Sequence, residues 1–322
     1  RLVWRPFRLA TIGHLAPGSH LAERVWINPI EGEERPLDHE AIAIRIIAAD
    51  PGISSILTDT EPSLVEKVIH ILEGNSSLPA WTVDTISGDG WNADRGNWSI
   101  VDSALCAVSY GRYNVNALLD SFRLTAEGKL VLAENRVDAL SHFFVARDSM
   151  YRQIYQHRVS QAADMLTIKL IARLRDLIIE SNVSRSEYDS FVKSLKIYCD
   201  NSMVQAILGT NLAQNLDLEC VFDMTEDWWG YHLSRWCHCS DPILADLSQR
   251  LRDRNLLKTI RVESMADPLI EKAKEVCSDL GFDPRYYCLI INSADLHRTK
   301  LENPPLVLLD NNQTVPVTEV EP

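Results

Sequence analysis

GDGWNADRGNWSIVDSALCAVSY, residues 88–110, is the stretch on which the reading of this chain turns. It spaces Asp94, Trp98 and Asp102 four residues apart, with Arg95 beside the first. On a helix the two carboxylates and the indole then share one face, and the guanidinium flanks it. An interior face would carry aliphatic side chains instead, because burying two acids is costly unless each finds a partner. A solvated polar face with a stray tryptophan and the wall of a binding site both fit this segment alone. A second segment, RDSMYRQIYQHR, favours the site: Arg147, Tyr151, Tyr155 and Arg158 fall at i, i+4, i+8 and i+11, one helical stripe of cations and phenols. Two helices with such faces can enclose an anion.

Composition sets the frame around these segments. The chain has 322 residues, 46% hydrophobic and 24% charged, enough for a large core in one large domain or in one large and one small domain. A formal net charge of −13 argues against broad nonspecific binding to nucleic acid or to anionic membranes, so a polyanion would have to enter a local basic pocket. Seven scattered cysteines, an odd number, make no secreted disulfide framework and point to the cytoplasm. Cys237-His238-Cys239 could ligate a soft metal, but it lacks a second ligand pair at zinc-finger spacing, which favours structural cysteines. No apolar run reaches the roughly 18 residues needed to span a bilayer, and no signal-peptide pattern opens the chain.

Taken in order, RLVWRPFRLATIG reads as a short apolar helix ending near Gly13, followed by a turn at Pro17 and Gly18 and a second helix starting at Ser19. His14 and His20 flank that turn, and His39 begins the helix HEAIAIRIIAAD. Helix starts and connecting turns are places where polar side chains can point into a cleft. SLVEKVIHILEG and NVNALLDSF read as helices, RLTAEGKLVLAE as a hairpin around Glu127-Gly128, and 135–182 as one or two long helices. The helical region 183–265 contains Trp228, Trp229, Tyr231 and Trp236, read as core or interface more readily than as a ligand box. DPLIEKAKEVCSDLGF reads as a helix ending at Gly281, PRYYCLIINS as a strand, and PPLVLLDNNQTVPVTEV as a hairpin turning at Asn311-Asn312. The fold class is mainly α, a helical body with a small C-terminal α/β subdomain. The segments are 1–182 (helical core), 183–265 (helical extension) and 266–322 (small α/β lobe).

Three of these segments resemble the HD-domain phosphohydrolases, and within them the deoxynucleoside triphosphate triphosphohydrolases of the SAM-and-HD-domain type. Thr11-Ile12-Gly13-His14 through Ser19-His20 is similar to the family's HD-x-G-H-x-P-x-S-H turn, with one extra residue between the two histidines. Asn92-Ala93-Asp94-Arg95 through Asp102 is similar to its D-x-D-[KR]-x-D-Y-x-x-R-D helix, and Arg147-Asp148-Ser149 through Tyr155-Gln156-His157-Arg158 to its R-N-S-x-x-x-x-x-Y-Q-H-K helix. The likeness runs from about residue 8 to 165 and returns in the C-terminal tail.

The resemblance implies a division of roles. Arg95 and Arg147 would contact phosphates, and His14, His20 and His39 would line the reacting phosphate as the catalytic set. Asp102 would accept a hydrogen bond from the sugar, Tyr155 would stack on it, and Trp98, a tryptophan where the family has tyrosine, would wall the pocket. Tyr151 completes the nucleotide-binding group. Asp94 corresponds to the last metal ligand, but Ala10 and Thr11 stand in place of the family's His-Asp pair, and the family's first histidine would precede Arg1. Alanine has no donor atom, and a threonine hydroxyl is a poor ligand for a transition ion. Manganese, magnesium, iron or zinc would therefore be held only if residues outside this segment complete the site. Asn97 replaces an acid and Val101 an arginine. The implied function is a nucleotide-binding regulatory or structural subunit that has lost metal-dependent hydrolysis. The alternative is an active triphosphohydrolase with a rebuilt site, releasing deoxynucleoside and triphosphate. Assembly into homo- or hetero-oligomers is a further expectation from the resemblance.

Overall fold

Asp50-Pro51, Asp241-Pro242, Asp267-Pro268 and Asp283-Pro284 each start a helix. The aspartate side chain accepts from the backbone N–H of Ile53, Leu244, Leu269 or Arg285, and the proline takes a first-turn position where no N–H is needed. The computed structural model describes residues 15–17, 19–22, 25, 39–74, 78–88, 90–181, 188–208, 217–262, 264, 266–291 and 304–320.

Along the chain these form α1 (Ser19–Ala22), α2 (His39–Ala49), α3 (Pro51–Thr60), α4 (Leu64–Leu72), α5 (Ala80–Ser87), α6 (Ala93–Leu105) and α7 (Val115–Leu119). The strands β1 (Phe122–Leu124) and β2 (Leu130–Ala133) follow, then α8 (Val137–Met150), a π-helical turn at Tyr151–Tyr155 and the long α9 (Arg158–Ser181). After them come α10 (Tyr188–Ser194), α11 (Asn201–Leu208), α12 (Leu218–Asp223), α13 (Glu226–Trp236), α14 (Pro242–Arg252), α15 (Pro268–Asp279) and α16 (Pro284–Tyr287). The strands β3 (Leu306–Leu308) and β4 (Thr314–Pro316) close the described chain. The mainly helical class with a small sheet is as the sequence indicates. No single helix among the described residues is long and apolar enough to cross a membrane.

Contacts gather the chain into two units, one of residues 1–13, 42–157 and 296–322, the other of 14–41 and 158–295. The segment 266–322 is thereby shared: α15 and α16 lie in the second unit, β3 and β4 in the first.

In the first unit both expected hairpins form. β1 pairs antiparallel with β2, Gly128 taking φ +75° in the turn, and β3 pairs antiparallel with β4 with Asn312 at φ +65°. The two hairpins join through a parallel pairing of β2 with β3, Leu132 opposite Val307, into one four-stranded sheet. Leu132 then packs with Tyr113, Leu118, Leu140, Phe143 and Ala146 in the core on which α6 and α8 rest. A smaller cluster of Ile47, Leu57, Leu64 and Val68 holds α2 to α4.

In the second unit Trp229 and Trp236 are buried, as a core reading expects, whereas Trp228 is half-buried and Tyr231 exposed. Arg173 reaches Asp241 through two hydrogen bonds of 3.2 and 2.7 Å, tying α9 to the start of α14. One expectation fails here. PRYYCLIINS is not a strand: Pro284–Tyr287 is the helix α16, and 288–291 have no regular structure, while 292 and 293 lie outside the described residues. The Asp283 cap decides it, since it satisfies the Arg285 N–H in a helical first turn. The apolar helix expected before Gly13 lies outside the described residues, whereas the helix start at Ser19 is observed.

Candidate functional site

The α6 helix is set by its two ends of chemistry. Asn92 caps it, accepting from Arg95 N at 2.7 Å, and the Asn92 amide donates to Gly88 O at 3.0 Å. The buried side of α6 is Gly96, Ser99 and Ser103, not a row of aliphatics. Tyr113 Oη donates to Gly96 O at 3.1 Å and accepts from Trp91 Nε1 at 2.9 Å, and a Cβ at Gly96 would fall 2.4 Å from that indole nitrogen. Ser99 Oγ donates to Gly111 O at 3.1 Å, and Ser103 Oγ donates to Val108 O at 2.9 Å while accepting from Gly111 N at 3.2 Å. Small residues thus press one side of α6 against the loop that follows it. The face carrying Asp94, Trp98 and Asp102 is left to meet the π-helical turn.

That meeting is aromatic. The Trp98 ring lies edge-on to Tyr151 and Tyr155, with centroids 5.8 and 5.4 Å away, and the two tyrosines lie 5.3 Å from each other. Tyr155 Oη donates to Asp102 Oδ2 at 2.5 Å. Gln156 N bonds Tyr151 O at 2.7 Å, an i+5 bond that widens the helix at this point. Such insertions often lie at functional positions. The regular α-helical stripe expected from Arg147 to Arg158 is therefore corrected. Arg147, Tyr151 and Tyr155 share one neighbourhood through the π turn, while the exposed Arg158 opens α9 in the second unit.

The charges here are unusual for a core. Arg147 is buried, 4% exposed, with its guanidinium 4.7 Å above the Tyr151 ring. Burial pulls the Arg147 pKa below its ordinary value, the Tyr151 phenol offsets part of this, and neighbouring Arg95 pulls it further down. Arg95 Nη1 donates to Gly88 O at 3.0 Å, which holds that side chain at the N-terminal end of α6. Burial raises the Tyr155 phenol well above its usual range, and the bond to Asp102 raises it further. Tyr151 is likewise raised by burial, with Arg147 and Arg95 acting against this and Asp94 adding to it. Asn97 and Val101, on another side of α6, are exposed.

Arg95, Trp98, Asp102, Arg147, Tyr151 and Tyr155 are therefore brought together in the first unit, with Asp94 near enough to act on Tyr151. His20 and His39 fall in the second unit. His14 lies outside the described residues, His20 is placed only as part of α1, and His39 opens α2 half-buried, its Nδ1 3.3 Å from Glu40 Oε2. Ala10 and Thr11 also lie outside the described residues.

Sequence reasoning passed over a second polar cluster, in the second unit. His232 is fully buried among Trp228, Tyr198, Trp236 and Tyr231, with ring centroids 4.8 to 6.3 Å away. Its Nδ1 lies 2.9 Å from Trp228 O, and its Nε2 3.5 Å from Asp200 Oδ1. Asp200 accepts from Trp228 Nε1 at 2.9 Å and from Met203 N at 2.8 Å. The signal available in sequence was Trp228 and His232 four residues apart, hidden among other aromatics.

No family model matches the chain. Over 289 residues, 89% of its length, it is 25% identical to the uncharacterized protein YwfO of Bacillus subtilis, and it spans 60% of that relative's length. In fold it aligns along its whole length with a phosphohydrolase from Bacteroides thetaiotaomicron, with a TM-score of 0.74 at 16% identity over 74% of that chain. It aligns equally fully with a hypothetical protein from Aquifex aeolicus, with a TM-score of 0.64 at 19% identity over 72% of that chain. The chain thus shares its fold with that phosphohydrolase.

Proposed function

We propose that this protein binds a nucleotide, of the nucleoside triphosphate type, between α6 and the π-helical turn, and that it acts as a regulatory or structural subunit without metal-dependent hydrolysis. The observation that carries the binding half is the placing of a buried guanidinium, Arg147, close to a second one, Arg95. Two cations in a partly desolvated place repel each other, and an anion between them relieves both the repulsion and the lost hydration. Guanidinium groups also match phosphate oxygens with paired N–H donors. Beside them, Trp98, Tyr151 and Tyr155 offer ring surface, and Asp102 offers a carboxylate to a sugar hydroxyl.

The metal half rests on donor chemistry. Ala10 and Thr11 occupy the positions that the HD resemblance gives to a His-Asp pair, and neither supplies a strong ligand. Asp94 remains as a single carboxylate at the corresponding position. These residues do not fit a divalent transition ion, so no catalytic step is assigned to one.

A second reading, an active triphosphohydrolase, is favoured by one observation: His14, His20 and His39 are all present. Incubation of the protein with deoxynucleoside triphosphates and Mn²⁺ or Mg²⁺, followed by chromatography, separates the two. The binding reading expects nucleotide retained by the protein and no free nucleoside. Nucleoside plus triphosphate, lost in a His14→Ala/His20→Ala double variant, would establish the enzyme instead. A flat Trp98 fluorescence titration with every nucleotide would overturn both.

A further inference from the structure

Two backbone carbonyls in the turn before α6 hold the Arg95 guanidinium. Its Nη1 donates to Gly88 O at 3.0 Å and reaches Gly90 O at 3.5 Å. Gly88 O also accepts from the Asn92 side-chain amide at 3.0 Å, so the residue that caps α6 and the cation beside it share one acceptor. Where that acceptor lies depends on the path of the turn, and the turn is fixed at both ends. At Gly88 an added Cβ would fall 2.5 Å from Asp84 O, so the chain leaves α5 in close contact with its last turn. At the other end Trp91 packs on the core cluster, its ring 5.4 Å from Phe122 and its indole bonded to Tyr113 Oη.

Between these anchors Gly90 meets Pro305, the residue before β3. An added Cβ at Gly90 would lie 2.3 Å from Pro305 Cγ, closer than non-bonded carbons approach, so the proline ring rests directly on the glycine backbone. Pro305 is itself held in place. Its carbonyl accepts from Val317 N at 2.8 Å, next to the Leu306 and Pro316 pair of β3 and β4, and Val317 packs on the same core cluster as Trp91. Both residues of the contact belong to the first unit.

We infer that Pro305, seated on Gly90, is a positioning residue for Arg95: the open end of the β3–β4 hairpin presses the turn into the path whose carbonyls hold the guanidinium. The consequence for a ligand rests on the nucleotide-binding reading above. A guanidinium meets phosphate oxygens through directed, paired donors, so displacing the turn by about an ångström weakens the match. A hairpin with no residue among those assigned to the ligand would thereby set the affinity for its phosphates, as a supporting shell does. The contact is also reciprocal. Pro305→Ala keeps only the Cβ, which would lie 3.4 Å from the methyl of Gly90→Ala, an ordinary contact. Alone, one substitution crowds the turn and the other leaves a gap; together they refill the space.

Labelling of the full chain with phenylglyoxal, followed at each arginine by mass spectrometry, reads Arg95 without any ligand. Gly90→Ala should raise the Arg95 rate several-fold, leave that of the exposed Arg158 unchanged, and be largely reversed by adding Pro305→Ala. If Gly90→Ala does not fold, Pro305→Ala alone, which opens space, should still give a smaller rise. In parallel, the dissociation constant of the tightest-binding deoxynucleoside triphosphate should rise about tenfold in Gly90→Ala, the size of one charge-assisted hydrogen bond. It should rise no further when Gly90→Ala is added to Arg95→Gln, because a residue that acts through Arg95 then has nothing to act on. An unchanged Arg95 rate, a failure of Pro305→Ala to reverse the effect, or losses of affinity that simply add would each overturn the inference. If the unsubstituted chain binds no nucleotide, the binding reading fails by itself, and the labelling alone supports or overturns the role of Pro305.

Discussion

The rings around Trp98 and the rings around His232 are built from the same kinds of side chain, each set with a carboxylate at its edge, yet their charges are arranged differently. Around His232 most polar groups are paired within the cluster, and the buried imidazole Nε2, which makes no hydrogen bond among the described residues, lies 3.5 Å from the Asp200 carboxylate. The imidazole lies against Trp228 O, the Trp228 indole and the Met203 amide both donate to Asp200, and Asp200 faces the far nitrogen of the imidazole. Around Trp98 the carboxylate of Asp102 is engaged by Tyr155, while Arg147 and Arg95 accumulate like charge in a partly buried place. Aromatic content therefore does not separate a site from a core. Charge accumulated where burial penalises it is the better guide.

The contrast can be broken most severely at Trp236. It is fully buried and its indole donates to Tyr198 O at 2.7 Å. Trp236→Ala should cost about 3–5 kcal/mol in urea unfolding, whereas Trp98→Ala, at a half-buried position, should cost clearly less. If the two losses were equal, the assignment of one cluster to core and the other to a site would be wrong.

Arg147→Gln tests the opposite pole. It should lower nucleotide affinity about 10–100-fold, the equivalent of losing charge-assisted hydrogen bonds, and leave the unfolding midpoint unchanged or raised. A large fall in stability with intact binding would make Arg147 a structural residue.

The pH dependence of the His232 cluster gives a third, smaller effect. Burial depresses the His232 pKa, against the bond to Trp228 O and the charge of Asp200. The unfolded chain then binds the proton more readily, so this contribution is fully present above about pH 6.5 and is lost as the pH falls from there through the depressed folded value. The expected slope is at most about 1.4 kcal/mol per pH unit for one proton. It should vanish in His232→Phe, read as unfolding free energy against pH. The smallest effect belongs to Tyr155→Phe, which removes the bond to Asp102 and should cost about 0.5–1.5 kcal/mol, with a change in Trp98 fluorescence because the rings touch.

How much of this could be read in the sequence depends on the range of the interaction concerned. The spacing of Asp94, Trp98 and Asp102 survives because Asn92 starts a regular helix just before them, and capping is a local matter. The Arg147 to Tyr155 stripe was legible in its residues but not in its geometry, because an i+5 turn has no distinct periodic signature. The strand expected at PRYYCLIINS gave weight to the apolar run and too little to Asp283-Pro284, although the same pair starts three other helices. The locking of α6 by Gly96, Ser99 and Ser103 could not be foreseen, since each small residue is explained by a partner outside the helix: Trp91 and Tyr113, Gly111, and Val108. The phosphate-facing histidines remain a sequence expectation, with His14 outside the described residues.

The sheet has a consequence in time. β2 is buried through Val131 and Leu132, and its second neighbour is β3, which follows all of residues 158–295 in synthesis. At about 5–20 residues per second a ribosome takes roughly ten to thirty seconds to travel from β2 to β3. Throughout that interval the nascent hairpin shows one open hydrogen-bonding edge and an unfinished apolar face, the combination that invites wrong pairing. The second unit can gather meanwhile from residues already made. The late strand is therefore the step at which a growing chain most needs protection, and truncation before Leu306 should yield a first unit prone to aggregate.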